Sequence, residues 1–218
     1  MSNSFPVCEP IAIDDPLIEK LVFQINKKSK AIHVPLYKQL LPLKNCYWNV
    51  ERLVKEYGGS LIKGWCVTYW PGSHLSAYHH AVWLTPDNHL LDITETIPTT
   101  KDKNTIIFIP DNKISINLDK VPSIGMHFLV INDTPELREV IKLYRKYNEV
   151  EKEYSNFLYA IGTRCELQRA IALGKQDEGI YMDEQQQRDY MIFHNKILAL
   201  QELSAAATIS LRKVTGFN

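Results

Sequence analysis

The chain has 218 residues, 45% of them hydrophobic, with 25 Lys+Arg set against 25 Asp+Glu. That length and composition fit a folded globular protein with one ordinary core and an appendage, and they exclude an extensively disordered chain. The charge balance predicts no broad attraction to nucleic acid or to an anionic membrane.

Residues 1 to 15 read as an irregular lead-in. With no basic start followed by an apolar stretch, they predict no secretory signal. No apolar run approaches the length of a bilayer span, so no membrane crossing is expected. Asp15 with Pro16 marks a helix start, and Leu17, Ile18, Leu21, Val22 and Ile25 carry the helix to Lys27-Lys28. The segment from His33 to Lys44, with Pro35 and Pro42, reads as a loop. Asn45 then opens a helix in which Val50, Leu53, Val54 and Tyr57 share one face, and Gly58-Gly59 ends it.

Beyond Gly59 the period shortens. Residues 60–70, 78–85, 90–94, 105–110 and 126–131 read as short strands, with turns at Pro71-Gly72 and Pro86-Asp87-Asn88. The second turn predicts an antiparallel hairpin. Thr134-Pro135-Glu136 starts a helix whose pattern runs nearly unbroken to Leu173, before Gly174. A polar stretch from Lys175 to Asp183 leads to a second helix, from about Glu184 to Arg212. Together they predict an antiparallel helical hairpin. Its Tyr and Leu stripes form the seam, or offer a surface for a partner protein or a second copy of the chain.

Three residues in this order carry a chemistry. Cys46 sits in the first turn of its helix, His80 opens the strand His80-Ala81-Val82-Trp83-Leu84, and Asp92 interrupts Leu90-Leu91-Asp92-Ile93-Thr94. A thiol reacts as its thiolate, which an imidazolium and the free N–H groups of a helix start both favour. His80 would take the thiol proton and return it to the leaving group, and Asp92 would hold the other ring nitrogen. The oxyanion would need two donors, for which the Cys46 backbone N–H and the Gln39 side chain are the candidates. Trp65, Tyr69, Trp70, Tyr78 and Trp83 cluster in the strands around the histidine. Most are expected as packing, with Trp65 and Trp83 as candidate walls of a substrate groove.

Competing readings attach to the same residues. Cysteine is often simply buried, and Cys66 is a rival nucleophile that lacks a helix start. His79 and His80 point to opposite faces of one strand, and periodicity does not choose between them. His74, His79 and His89 with Asp92 would be an alternative metal set, in a spacing that matches no recognised ligand pattern. Cys8, Cys46, Cys66 and Cys165 contain no CxxC pair, so free thiols in a reducing cytoplasm are expected, without zinc or a disulfide framework.

The order Cys, His, Asp, with the cysteine on a helix and the other two on consecutive strands, resembles the papain-like and transglutaminase-like cysteine enzymes. His80-Ala81-Val82 is similar to the histidine strand of papain-type proteases, and Leu91-Asp92-Ile93-Thr94 to the Asp-x-Thr strand of transglutaminase-like proteins. The resemblance covers residues 39 to 95. It departs at Asn45, Tyr47 and Trp48, where papain-like enzymes carry small residues, and at Gln39, which lies one residue further from the cysteine than the papain glutamine. It implies an α+β fold with a papain-like core over 1–132, its cysteine helix packed on an antiparallel sheet, to which the helical periodicity adds the hairpin over 133–218. The implied activity is cleavage or transfer at an amide or related acyl bond through a thioester, on a protein, peptide or small amide, with no cofactor or metal. The alternative is a non-catalytic interaction module that uses the C-terminal helices.

Overall fold

The structure is a computed structural model and describes residues 8–96, 104–176 and 179–216. The first half of the lead-in, residues 1–7, and residues 177–178 of the polar stretch lie outside the described residues. The chain is α+β, in the order α1 (Pro16–Ile25), β1 (Ile32–Leu41), α2 (Cys46–Tyr57), β2 (Ser60–Trp70), β3 (His74–Leu84), β4 (Leu90–Thr94), β5 (Thr105–Pro110), β6 (His127–Val130), α3 (Pro135–Ala160), α4 (Glu166–Leu173) and α5 (Glu184–Thr215).

The sheet runs β2-β5-β1-β4-β3-β6, and a further β2–β3 pairing closes its first five strands into a barrel. It is mixed rather than antiparallel, because β1 and β4 run parallel. The segment read as a loop before the cysteine is therefore largely a strand, β1. Pro35, which suggested the loop, stands opposite Thr105 of β5, and the ladder resumes from the Leu36 N–H to the Asn104 carbonyl at 2.8 Å. A proline gives up one ladder donor without ending a strand whose neighbours supply the rest.

Even-numbered residues of β2, β3, β4, β5 and β1 fill the barrel: Val34, Cys66, Val82, Ile106 and Phe108, with Tyr78 and Leu90 packed against them. Gly64 faces this interior opposite His80. A Cβ there would lie 2.5 Å from the Phe108 ring and 2.3 Å from the Ile109 carbonyl oxygen, so only glycine fits. Outside, α1 covers Trp65, Val67, Leu75 and Ala77, while α2 covers Ala81, Trp83 and Ile93. Asp15 caps α1 by accepting from the Leu17 N–H at 2.8 Å.

The expected single helix from Pro135 to Leu173 is two. Gly162 (φ 101°) and Cys165 (φ 60°) take left-handed conformations between α3 and α4, which breaks the i→i−4 ladder although the apolar spacing continues. α3 and α5 pack antiparallel, with Tyr154 against Tyr190 and Phe193, and Gln201 hydrogen-bonded to the Tyr147 hydroxyl. Trp70 of β2 packs with Leu137 and Leu211 of this hairpin and donates its indole N–H to Thr215 Oγ1 at 3.1 Å. The short helix α4 lies against α2, the cysteine helix.

Candidate active site

β3 pairs with β2 along its whole length, but its other edge is shared. β6 pairs with His74 to Ala77 and β4 with Trp83 and Leu84. From Tyr78 to Val82 that edge has no registered strand partner among the described residues, and α2 packs over this part of the barrel wall. His80 lies at the centre of the opening.

Cys46, Asn49, Val50 and Leu53 recur at helical spacing and form the buried face of α2. The helix is fixed at both ends. Lys44 just before it adopts φ 64°, a left-handed conformation that costs a side-chain-bearing residue about 1 kcal/mol. After it, Gly59 at φ 84° passes so close to β3 that a Cβ would sit 2.1 Å from the Leu84 carbonyl oxygen. Asn45 is the N-cap residue by position but makes no side-chain cap. Its Nδ2 instead donates to Asn49 Oδ1 at 3.0 Å and to the Gln168 carbonyl of α4 at 2.9 Å. The first-turn N–H groups beside Cys46 therefore lack the side-chain oxygen that would normally take one of them.

The expected trio converges. His80 Nε2 lies 3.0 Å from Asp92 Oδ1, with His80 3% exposed and Asp92 fully buried. Burial alone would make the imidazole harder to protonate. The opposite charges of Asp92 and the nearby Cys46 sulfur, with the hydrogen bond to Asp92, outweigh it and raise the His80 pKa well above 6.5. Asp92 Oδ1 also accepts the Thr94 N–H at 3.1 Å, while Oδ2 is buried without a hydrogen bond among the described residues, leaving the imidazolium as its principal compensation. The ring thus spans carboxylate and thiol and can pass a proton at the sulfur end. Cys46 retains 8% exposure. Cys165, Ala172, Ile116, Leu118 and Val121 belong to the apolar cluster around it.

The tandem histidines separate cleanly. His79, on the outer face of β3, has Nδ1 2.7 Å from the Tyr47 hydroxyl, and its ring meets the Trp65 indole edge to face. Burial, assisted by Lys63, lowers its pKa to about 4. It is neutral where His80 is charged.

The remaining candidates lie elsewhere. Gln39 is exposed on β1, in an irregular stretch between Leu36, which pairs with Asp92, and Leu41, which pairs with Thr94. Its side chain makes no hydrogen bond to the site among the described residues, and the first-turn N–H groups of α2 are the backbone donors placed beside Cys46. Trp65 and Trp83 do not line an open groove. Trp65 is 2% exposed and donates to Asp111 Oδ2 at 3.2 Å, and Trp83 is buried and donates to the Gly58 carbonyl at 3.0 Å. Cys66, the rival nucleophile, is buried inside the barrel. Among the described residues no group of three or more His, Cys, Asp or Glu is placed to hold a metal.

One site residue, Asn49, was not singled out from the sequence, and Thr94 entered it only as the last residue of the Asp-x-Thr strand. Asn49 is fully buried and donates from Nδ2 to the Pro42 carbonyl at 2.9 Å and to Thr94 Oγ1 at 3.1 Å. The available signal was a polar residue three positions after Cys46, in the same stripe as Val50 and Leu53.

Comparison with protein families, curated proteins and solved structures returned no match. Among the described residues no helix is long and apolar enough to cross a membrane.

Proposed function

We propose that this chain is a cysteine hydrolase or acyltransferase acting on an amide or related acyl bond. The observation that carries the reading is a single buried imidazole 3.0 Å from a buried carboxylate, with the Cys46 thiol at a helix start near enough to help hold its charge. In the acylation step the Cys46 sulfur forms a bond to the substrate carbonyl carbon and its proton resides on His80. The carbonyl π electrons move to oxygen, where the first-turn N–H groups of α2 receive the negative charge. Collapse expels the amine or alcohol, which takes the proton from His80, and a thioester remains. Water, deprotonated by His80, then releases the acid and restores the thiol. An amine in place of water gives transfer instead. Asp92 keeps the ring oriented and its charge compensated throughout. The chemistry needs no cofactor or metal, and it suits a reducing compartment such as the cytoplasm, where the thiol stays free.

The test is selective alkylation. In the native protein, mild iodoacetamide treatment followed by mass spectrometry should modify Cys46 ahead of Cys8, Cys66 and Cys165, and Cys46→Ala should abolish turnover of an acyl substrate without unfolding the protein. Slow, uniform labelling of all four thiols would leave the second reading, a non-catalytic interaction module. That reading draws on α5, where Met191, Ile192, Leu198 and Leu203 remain exposed.

A further inference from the structure

The most extensive buried polar arrangement around the trio is a chain of side chains that none of the catalytic steps uses. It starts at Asp92, whose Oδ1 accepts the Thr94 N–H at 3.1 Å. Thr94, two residues along β4 and nearly fully buried, accepts the Asn49 Nδ2 at 3.1 Å through its hydroxyl. Asn49 gives its other donor to the Pro42 carbonyl at 2.9 Å and accepts from Asn45 Nδ2 at 3.0 Å. Asn45 Nδ2 also donates to the Gln168 carbonyl of α4 at 2.9 Å. One fully buried carboxamide therefore spends both donors and its acceptor on the residue before the nucleophile, on the turn that delivers the helix, and on the strand that carries the orienting carboxylate.

A carboxamide that only filled this space would be expensive, because every unpaired polar atom in a water-free interior costs free energy. An apolar residue would suit the stripe of Val50 and Leu53 better. One of the three bonds, Asn49 Nδ2 to Thr94 Oγ1, runs between the two elements whose relative placement fixes the distance from the Cys46 sulfur to the His80–Asp92 pair, and the other two tie that point of α2 to its own start and to the turn before it. Among the described residues no strand ladder does that work, because β3 has no registered partner on this edge from Tyr78 to Val82. Sub-ångström errors in such placement are costly for thiol–imidazole chemistry.

We propose that Asn49 and Thr94 are positioning residues, which hold the first turn of α2 at the height on β4 where Cys46 and Asp92 share His80. The proposal rests on the catalytic reading above and adds residues to it. Asn49 touches no substrate and acts through the helix it anchors.

The experiment is the pH profile of Cys46 alkylation by iodoacetamide, read by mass spectrometry on the native, folded chain. The unsubstituted protein should label Cys46 ahead of Cys8, Cys66 and Cys165, and its rate is followed as a function of pH. Thr94→Val keeps the shape and removes the acceptor. It should move the profile upward by about one pH unit and cut the rate at mildly acidic pH about tenfold. Asn49→Asp, nearly isosteric but without the two donors, should do the same or more, and Thr94→Ser should restore the original profile. Unchanged profiles in both folded Thr94→Val and Asn49→Asp would overturn the proposal. If Asn49→Asp fails to fold, the Thr94 pair decides alone. If the unsubstituted protein shows no preferential Cys46 labelling, the catalytic reading itself has failed, an outcome distinguishable from failure of the positioning role.

Discussion

On the inner face of β3, His80 meets Asp92 and the Cys46 thiol and holds its proton well above the usual imidazole range. One residue earlier, on the outer face, His79 meets a tyrosine hydroxyl and two apolar rings and gives its proton up, at a pKa of about 4. Both rings are buried, so burial does not distinguish them. What differs is whether a carboxylate hydrogen-bonds the ring: Asp92 does so to His80, whereas Asp111 acts on His79 only from a distance and is outweighed by burial and Lys63. A buried histidine hydrogen-bonded to an anion becomes a held charge, and one bonded only to a neutral hydroxyl becomes a packing residue.

Substituting each histidine by glutamine should separate the two faces most sharply. His80→Gln removes the proton carrier and should slow Cys46 alkylation near neutral pH by roughly 100-fold or more. It also leaves Asp92 buried without its cation, a loss of about 3 kcal/mol in chemical denaturation. His79→Gln should leave the labelling rate within about twofold and cost about 1 kcal/mol, the worth of one hydrogen bond to a neutral partner. Equal loss of reactivity in both variants would erase the distinction between the faces.

The pH dependence of stability gives a second, smaller contrast, with opposite signs. His79 and His74 both have folded pKa values of about 4, below the ordinary value of 6.5. The unfolded chain then binds more protons between those limits, so stability falls as pH drops from about 6.5 toward about 4, by up to about 1.4 kcal/mol per unit for each ring. His80, raised, contributes stability that is fully present below 6.5 and fades as pH climbs through its elevated folded value. Urea midpoints measured from pH 7 to 5 should therefore fall in the unsubstituted protein and fall less steeply in His79→Gln. Identical slopes would mean His79 titrates as an ordinary surface histidine.

Much of this was legible in the chain, and the limits of legibility are physical. α1 and α2 announced themselves because their boundaries are local chemistry: Asp15 before Pro16, and Gly58-Gly59 after Tyr57. Cys46, His80 and Asp92 were legible because the hairpin at Pro86-Asp87-Asn88 fixes the neighbourhood of two of them. β1 was hidden, because a strand completed by partners from far along the chain, β4 and β5, carries little local signal, and Pro35 argued against it. The break at Gly162–Cys165 was hidden because the apolar spacing runs on across it. Asn49 looked like an ordinary helix residue, since its value lies in partners seven residues back and forty-five ahead. The choice between His79 and His80 needed the barrel, because parity names two faces without saying which one holds the carboxylate.

The smallest expected effect concerns how the inner site meets solvent. Arg169 of α4 reaches back to α2 and to the segment before β6, with Nε 3.0 Å from Glu51 Oε2 and a terminal nitrogen 2.9 Å from Asp119 Oδ1. Arg52 of α2 returns the contact by donating to the Ala172 carbonyl at 2.7 Å. These bonds sit at the rim of the apolar cluster that covers Cys46, and they are partly exposed, so each is worth little alone. Arg169→Ala should therefore cost less than about 1 kcal/mol of global stability while allowing α4 to open more often. Iodoacetamide would then reach Cys46 a few-fold faster, at every pH, with the shape of the profile unchanged. Uniform acceleration would mean that the cover governs access and the inner bonds govern reactivity. A changed shape would mean instead that α4 helps to position the trio, and that the division between an inner machine and an outer cover is drawn in the wrong place.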